Sequence, residues 1–370
     1  MKKVVVVLFL FSKTYFTYLW AQSIVTDSQA LPSVGALYHQ LMEIQNSGHV
    51  LLGHHDALAY GHLWRDDLGR SDVKDITGSH PAVCSLDFGK IEHGAVANIN
   101  RIPFDKMREI IRYAHRRKQV IMICWHVDNP KTYAPGSRYP AGTSWDNSDS
   151  TVVKEILQEG SVLNIKFKGW MDHLAEYIHS LKDEDGNPIP FIFRPWHEHT
   201  QTWNWWGANC ASNDEFVGLW KYTIRYLRDT KGIHQMMYAI SPQMDIMYPQ
   251  TKERLTFRWP GDEWVDFIGI DCYHGRKKEA FASNVQHLAE LAAKKNKPCG
   301  VTETGIEGVG YPRYFTEEIL PVLEENKISM IVFWRNDDRS DKHHFISYKG
   351  HSSEEDFKKF CESPVILLEK

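Results

Sequence analysis

The stretch Phe191-Ile192-Phe193-Arg194-Pro195-Trp196-His197-Glu198 is an apolar run that stops in a cluster of polar groups. A short run of this kind, rich in aromatic and β-branched residues, reads as a buried strand. Downstream, Ser212 precedes Glu215 by three residues, a capping box, and Phe216, Leu219, Trp220, Ile224 and Leu227 follow at helical spacing. A second apolar run, Gln235 to Pro242, comes next. Strand, loop, helix and strand in that order are the pattern of a parallel βαβ connection.

The same unit recurs in both directions along the chain. Apolar runs at His49 to Asp56, Ala82 to Gly89, Gln119 to His126, Val265 to Tyr273, Pro298 to Glu303 and Met330 to Arg335 bring the expected strands to eight. Helices are expected between them. One covers Phe104 to Lys118, with Met107, Ile110, Ile111 and Ala114 on one face, and another covers Asn164 to Leu181, burying Phe167, Trp170, Met171, Leu174 and Ile178. No linker, low-complexity tract or short repeat divides the chain. Eight alternating units in one domain predict an α/β fold, a single (β/α)8 barrel; the competing layout is an open doubly wound sheet with its ligand at a switch point.

Composition narrows the function. Of 370 residues, 43 are Lys or Arg and 47 Asp or Glu, a net charge of -4 without a basic block, so nucleic acid is not an expected partner. The 13 Trp, 16 Tyr and 17 Phe exceed what a core of this size needs, and such rings stack on sugar faces. Met-Lys-Lys followed by the apolar Val4 to Phe11 and a small residue at Ala21 reads as a signal peptide over 1–21, leaving 22–370 as the mature domain. Ser12 and Lys13 interrupt the run well short of the ~20 apolar residues a membrane span needs. Export to the periplasm or outside the cell, no membrane association after cleavage, and a monomer are the expectations. The six cysteines show no short paired spacing and four lie in strand-like runs, so they read as small buried hydrophobes.

In a barrel of this type, polar residues at the strand C-termini share one mouth. Here the strands end in Trp125-His126, Arg194 to His199, Asp271 with Tyr273, Glu303, and Trp334 to Asp337. Glu198 and Glu303 form the pair that cleavage of a glycosidic bond needs, one carboxyl kept protonated and one kept ionised. A separation of about 5 to 5.5 Å would give retention, and about 6.5 to 9.5 Å inversion. Arg194 lies four residues before Glu198 on the same expected strand, so both point to one side, where the guanidinium would hold Glu303 ionised and Tyr273 would add a hydrogen bond. Among Trp196, His197 and the Trp203, Trp205 and Trp206 rings, desolvation would raise the Glu198 pKa. Trp203 is expected to line the cleft, Trp205 and Trp206 to pack, and Trp334 to carry the sugar. His126 and His197 read as donors to sugar hydroxyls. The alternative, a metal site completed by Asp271 or Glu198, lacks the spacing that puts two imidazoles on one helix face. No metal or cofactor is therefore expected. His54-His55 and His343-His344 read as loop or rim residues without a role.

The segment Phe193-Arg-Pro-Trp-His-Glu-His-Thr-Gln-Thr-Trp-Asn-Trp-Trp-Gly207 resembles glycoside hydrolase family 26, chiefly β-mannanases with a retaining (β/α)8 barrel. The likeness continues through Trp125-His126, Ile270-Asp-Cys-Tyr273, Val301-Thr-Glu-Thr304 and Phe333-Trp-Arg335. It implies that Glu198 is the acid/base and Glu303 the nucleophile, that Arg194 and Tyr273 bond the nucleophile, and that His126, His197 and Trp334 surround the sugar being cleaved. It further implies that Trp203 flanks the bond on the leaving-group side, and that Asp271 and Arg335 support the cleft, Arg335 reaching the next sugar. The implied substrate is β-1,4-mannan or manno-oligosaccharides. The family also holds enzymes for β-1,3-xylan and mixed-linkage β-glucan, and members that cut internally or release mannobiose from chain ends. The loops at 57–75 and 128–150 are placed to wall off one end of a cleft. A non-catalytic sugar-binding barrel would be expected to lack one of the two carboxylates.

Overall fold

In the computed structural model, which describes residues 25–244 and 252–369, the eight expected strands pair in parallel and close on themselves. The expected signal segment lies outside the described residues. The barrel strands are β1 Val50–His55, β2 Val83–Asp87, β3 Val120–Cys124, β4 Phe191–Arg194, β5 Met236–Ile240, β6 Phe267–Cys272, β7 Cys299–Thr304 and β8 Met330–Phe333. Closure is made by β1 against β8, in the register Leu51↔Met330 to His54↔Phe333. The open doubly wound alternative is thereby excluded. A short β9, Ile366–Leu367, runs beside Val50 and Leu51, where β1 has not yet met β2. It covers backbone groups that would otherwise form an open edge.

Helix α1, Pro32–Ser47, precedes the barrel. Each strand is then followed by a helix: α2 Asp72–Thr77, α3 Phe104–Arg116, α4 Val152–Leu157 with α5 Val162–His179, α6 Asn213–Arg225, α7 Lys252–Leu255, α8 Lys278–Lys295, α9 Leu320–Glu325 and α10 Glu354–Glu362. The capping box at α6 is formed: the Glu215 N–H donates to the Ser212 hydroxyl at 3.2 Å, and the Ser212 N–H donates to the Glu215 carboxylate at 2.8 Å. Phe167, Trp170, Met171, Leu174 and Ile178 of α5 are buried as the periodicity requires.

Strand alternation sorts the core into two parts. Outward residues such as Leu86, Ile123, Phe193, Ile270 and Phe333 meet the helices. Inward residues Leu51, Val83, Met122, Ile192, Met237 and Phe267 fill the barrel near the strand starts, and Val34, Leu37 and Leu41 of α1 close it from below. The interior is narrow: a Cβ at Gly53 would come within 2.7 Å of Val332, so only glycine fits. All six cysteines are buried, and none forms a disulfide. No helix among the described residues is long and apolar enough to cross a membrane.

Candidate active site

Continuing each strand past the apolar layer brings His55, Asp87, His126, Arg194, Ser241, Asp271, Glu303 and Trp334 to the mouth. One of these, Glu303, is not placed by simple alternation. Along β7, Val301 pairs with Ile270 and Glu303 with Asp271, so two residues of β7 oppose one of β6. The pairing with β8 skips in the same place, between Ile331↔Val301 and Phe333↔Thr304. This bulge lets consecutive residues, Thr302 and Glu303, both face the mouth. The Thr302 hydroxyl lies 2.7 Å from an Asp271 carboxylate oxygen.

Glu198 is placed differently from the sequence expectation. Strand β4 ends at Arg194, and Glu198 does not share a strand with it. Pro195 has no N–H to continue the ladder, and Trp196 (φ 53) and Glu198 (φ 55) both adopt left-handed backbone. Such residues persist only where their surroundings hold them. Here the Glu198 N–H donates to the Ser241 carbonyl at 2.8 Å, and the Trp206 indole donates to the His197 carbonyl at 2.8 Å. Trp205 and Trp206 are fully buried in packing roles, as expected, while Trp203 is partly exposed and its indole donates to the Glu198 carboxylate at 2.8 Å.

The two glutamates meet. One oxygen each of Glu198, Asp271 and Glu303 lie within 4.8 Å of one another. Their surroundings differ in kind. Glu303 accepts from the Arg194 guanidinium and, at 2.9 Å, from the Tyr273 hydroxyl. Arg194 is fully buried and also donates to Asp271 at 2.7 Å and to the Ser241 hydroxyl at 2.9 Å. Among the described residues, the donor to Glu198 is a neutral indole. Burial, together with the charges of Glu303 and Asp271, holds the Glu198 carboxyl well above its ordinary range, the Trp203 bond opposing only in part. Burial also pushes Asp271 up to about 7 against the pull of Arg194. Burial and the nearby carboxylates keep the Tyr273 phenol well above its usual value, so it stays a donor. The positive charge among the three carboxyls is supplied by Arg194.

His126 and His197 face each other with Nε2 atoms 3.1 Å apart. Behind them stands Asp87, which the sequence reading passed over. It accepts from the His126 Nδ1 and, at 3.1 Å, from the His126 backbone N–H. Burial opposes ionisation of Asp87, yet the His126 charge and hydrogen bond and the Gly89 N–H bring its pKa down to about 2. Burial lowers the pKa of His126, and the Asp87 carboxylate outweighs it and raises the net value. His197, buried beside a charged His126, lies well below the ordinary histidine value.

The structure corrects the reading of His54-His55. Both are fully buried in β1, and the His55 ring stacks on Trp334 with centroids 4.4 Å apart and planes at 20°, which fixes the indole expected to carry the sugar. His343 and His344 do lie on the loop after β8, His343 bonded to Glu307 at 2.7 Å. Arg335 forms an ion pair with Asp337 at 2.7 Å and keeps part of its surface exposed. Asp87, Ser241 and Thr302 were missed, although Asp87 obeys the rule that singled out the others: it is the polar residue on which an apolar strand stops.

Fold and site together define a (β/α)8 barrel with a paired-carboxylate mouth, the architecture of many glycosidases. The chain belongs to glycosyl hydrolase family 26, whose model matches residues 26–314. It is 29% identical over 375 residues to a mannan endo-1,4-β-mannosidase of Bifidobacterium adolescentis, covering 93% of this chain and 35% of that protein. A mannan endo-1,4-β-mannosidase of Bacillus subtilis is 24% identical over 64% of this chain and 61% of its own length. The chain thus spans about a third and about three fifths of these two relatives. Among solved structures, a family 26 β-mannanase from Bacteroides ovatus superposes with a TM-score of 0.85 at 38% identity, covering 92% of this chain and 95% of that one. An endo-β-1,4-mannanase from Cellulomonas fimi superposes at 0.81 and 26% identity, covering 93% and 77%.

Proposed function

We propose that this chain is a retaining glycoside hydrolase that cuts β-1,4-mannosidic bonds in mannan, glucomannan or galactomannan. The observation that carries the reading is the close approach of Glu198 and Glu303, whose carboxyl oxygens come within 4.8 Å. That is the spacing class of retention at about 5 to 5.5 Å, too tight for a water between the carboxylates as inversion requires. Mannan as substrate is supported by the names of the relatives, each a mannosidase or mannanase.

In the first step the Glu303 carboxylate attacks the anomeric carbon while Glu198 gives its proton to the departing glycosidic oxygen. The C–O bond to the leaving sugar breaks and an ester to Glu303 forms. In the second step Glu198, now ionised, takes a proton from water as the oxygen attacks the same carbon, and Glu303 leaves as carboxylate. The asymmetry of hydrogen-bond partners suits these roles: a cation and a phenol favour ionised Glu303, and a buried site with one indole donor favours protonated Glu198. His126, His197 and Trp334 would border the sugar being cleaved, Trp203 the leaving group, and Arg335 the next sugar, with Asp271 holding Arg194.

Release of mannobiose from chain ends is the mode the loops favour. A two-rung hairpin, Tyr60–Gly61 with Trp64–Arg65, rises after β1. Arg65 on it and Arg101 on the β2 loop both clasp Asp338 of the β8 loop, and the Leu63 N–H donates to the Asp337 carbonyl at 3.1 Å. Asp338 lies three residues past Arg335 on the same loop, and a clasp there would stop a chain from running on past two sugars. We further infer that the chain is exported after cleavage near Ala21 and acts as a monomer.

The test is a time course on reduced manno-oligosaccharides with the anomeric configuration of the first product followed by NMR. Retained β configuration and mannobiose from the outset are the expected results. Inverted product would overturn the mechanism; a mixture of sizes early in the reaction would overturn the chain-end mode alone.

A further inference from the structure

Glu92 is a fully buried carboxyl group that the two-step mechanism does not use. It sits on a short turn of helix, Ile91–His93, in the loop after β2. One of its oxygens accepts from the Trp125 indole N–H at 3.1 Å, and the other from the Asp128 backbone N–H at 2.9 Å. Trp125 directly precedes His126, and Asp128 follows it by two residues. The carboxylate therefore grips the chain on both sides of the imidazole that borders the sugar being cleaved.

The grip is braced by the groups around it. The Asp128 carboxylate is held by Lys90 at 2.6 Å and by His93 at 2.8 Å. From α5, the His173 ring donates through Nδ1 to the Glu92 carbonyl at 2.8 Å. The β2 loop also touches His126 directly: a Cβ at Gly89 would come within 2.9 Å of the His126 carbonyl, so the two segments have no room to slide. The titratable groups facing Glu92 are thus Asp128 from the end of β3, Lys90 and His93 from its own loop, and His173 from α5.

Both partners of the Glu92 side chain are donors, so only one protonation state satisfies them. An ionised carboxylate offers each N–H an acceptor, whereas a neutral acid turns one oxygen into a donor that would face an N–H, and that bond is lost. We infer that Glu92 is a positioning residue for His126, holding the imidazole against the reacting sugar through its paired bonds to Trp125 and Asp128. The inference rests on the glycosidase reading, which gives His126 its place beside the sugar. Burial raises the Glu92 pKa to about 7, with the Asp128 charge adding to the rise and His93 opposing it. The grip is complete above that value and loosens as pH falls through it.

The test uses the full chain and takes two readings. The first follows the Trp125 indole N–H by NMR from pH 5 to pH 9 without substrate. Its resonance should shift with a midpoint near 7 in the unaltered protein and stay still in Glu92→Gln. A resonance that does not move in the unaltered protein, whether or not the variant folds, overturns the inference, as does equal movement in both proteins. The second is kinetic. In Glu92→Gln the amide NH2 stands where one acceptor stood, which makes permanent the loss that acid brings to the unaltered protein. The ratio of kcat/KM between unaltered protein and variant on manno-oligosaccharides should therefore be about five at pH 8 and about one at pH 5. A ratio that is the same at every pH marks a merely structural residue and overturns the positioning role. Failure of the parent reading looks different: an unaltered protein that releases no sugar from mannan, while its Trp125 resonance still titrates, overturns that reading and the role of Glu92 with it.

Discussion

The two ends of the barrel are built from the same strands and have opposite chemistry. Where the strands begin, Leu51, Val83, Ile192, Met237, Phe267 and Met330 point inward and α1 seals them. Four residues further on, the same inward positions hold His55, Asp87, Ser241, Asp271 and Trp334, with Arg194 two residues past Ile192. One alternation supplies packing below and reactivity above. Stability and catalysis are therefore carried by separate layers, and substitutions can be chosen that strike one without the other.

The largest effect expected from breaking the upper layer is on turnover. Glu303→Gln removes the attacking carboxylate and Glu198→Gln the proton donor, and each should lower kcat by roughly 10³-fold or more. Both variants should unfold at nearly the temperature of the unaltered protein, because Arg194 keeps Asp271 as its partner in either case. Near-normal turnover in either variant would remove that residue from the mechanism.

The lower layer should respond in the opposite sense. Met237 is fully buried in the cluster closed by α1, so Met237→Ala leaves a cavity and should cost about 2 to 5 kcal/mol of stability. Denaturant unfolding gives that figure, and kcat below the unfolding transition should stay within a factor of about two. A large fall in kcat of the folded variant would mean that the two layers are coupled.

How much of this contrast is legible in the sequence depends on the kind of interaction. Strands are visible because both faces are buried, one against helices and one in the barrel, which makes each a continuous apolar run. The expected limits differ from the observed ones by up to four residues, worst in β4, where Pro195 ends the ladder before Trp196, His197 and Glu198. Assigning Arg194 and Glu198 to one strand placed them together for a reason that does not hold, since two left-handed residues do that work. The bulge that aims Glu303 has no composition of its own, because it is a property of pairing with β6 and β8. His55 was misjudged because a histidine pair in isolation looks polar, while its partner Trp334 lies far along the chain. Arg65 and Arg101 gripping Asp338 were hidden for the same reason.

Acid should expose a weakness particular to the upper layer. Asp87 falls from an ordinary carboxylate value to about 2 on folding, so its stabilising contribution is present above about pH 4 and is lost as pH falls through 2. Glu198 moves the other way: with its folded pKa raised, its contribution is full below the ordinary glutamate range and is lost as pH climbs through the raised value. Stability followed by thermal unfolding should therefore fall at both limits, and Glu198→Gln should flatten only the alkaline fall. An unchanged alkaline slope in that variant would place the loss elsewhere.

The smallest expected effect tests how far the mouth depends on a residue that no substrate reaches. Asp87 is buried, and its carboxylate is bonded to the His126 ring, the His126 N–H and the Gly89 N–H. Its influence must pass through the imidazole. With the carboxylate on Nδ1, the second nitrogen of a protonated His126 has its hydrogen directed at His197, only 3.1 Å away, and the two rings are locked edge to face. Asp87→Asn keeps the shape and an acceptor but removes the charge. The His126 ring should then titrate below the ordinary histidine value of about 6.5, burial being opposed only by the Glu303 charge, where the unaltered protein titrates above it. Turnover at neutral pH should fall about ten-fold, the equivalent of one pKa unit of lost interaction. NMR titration of the imidazole separates this from a loosened fold, which would lower activity without moving the ring's titration. If His126 titrates alike in both proteins, Asp87 is packing and belongs to the lower layer.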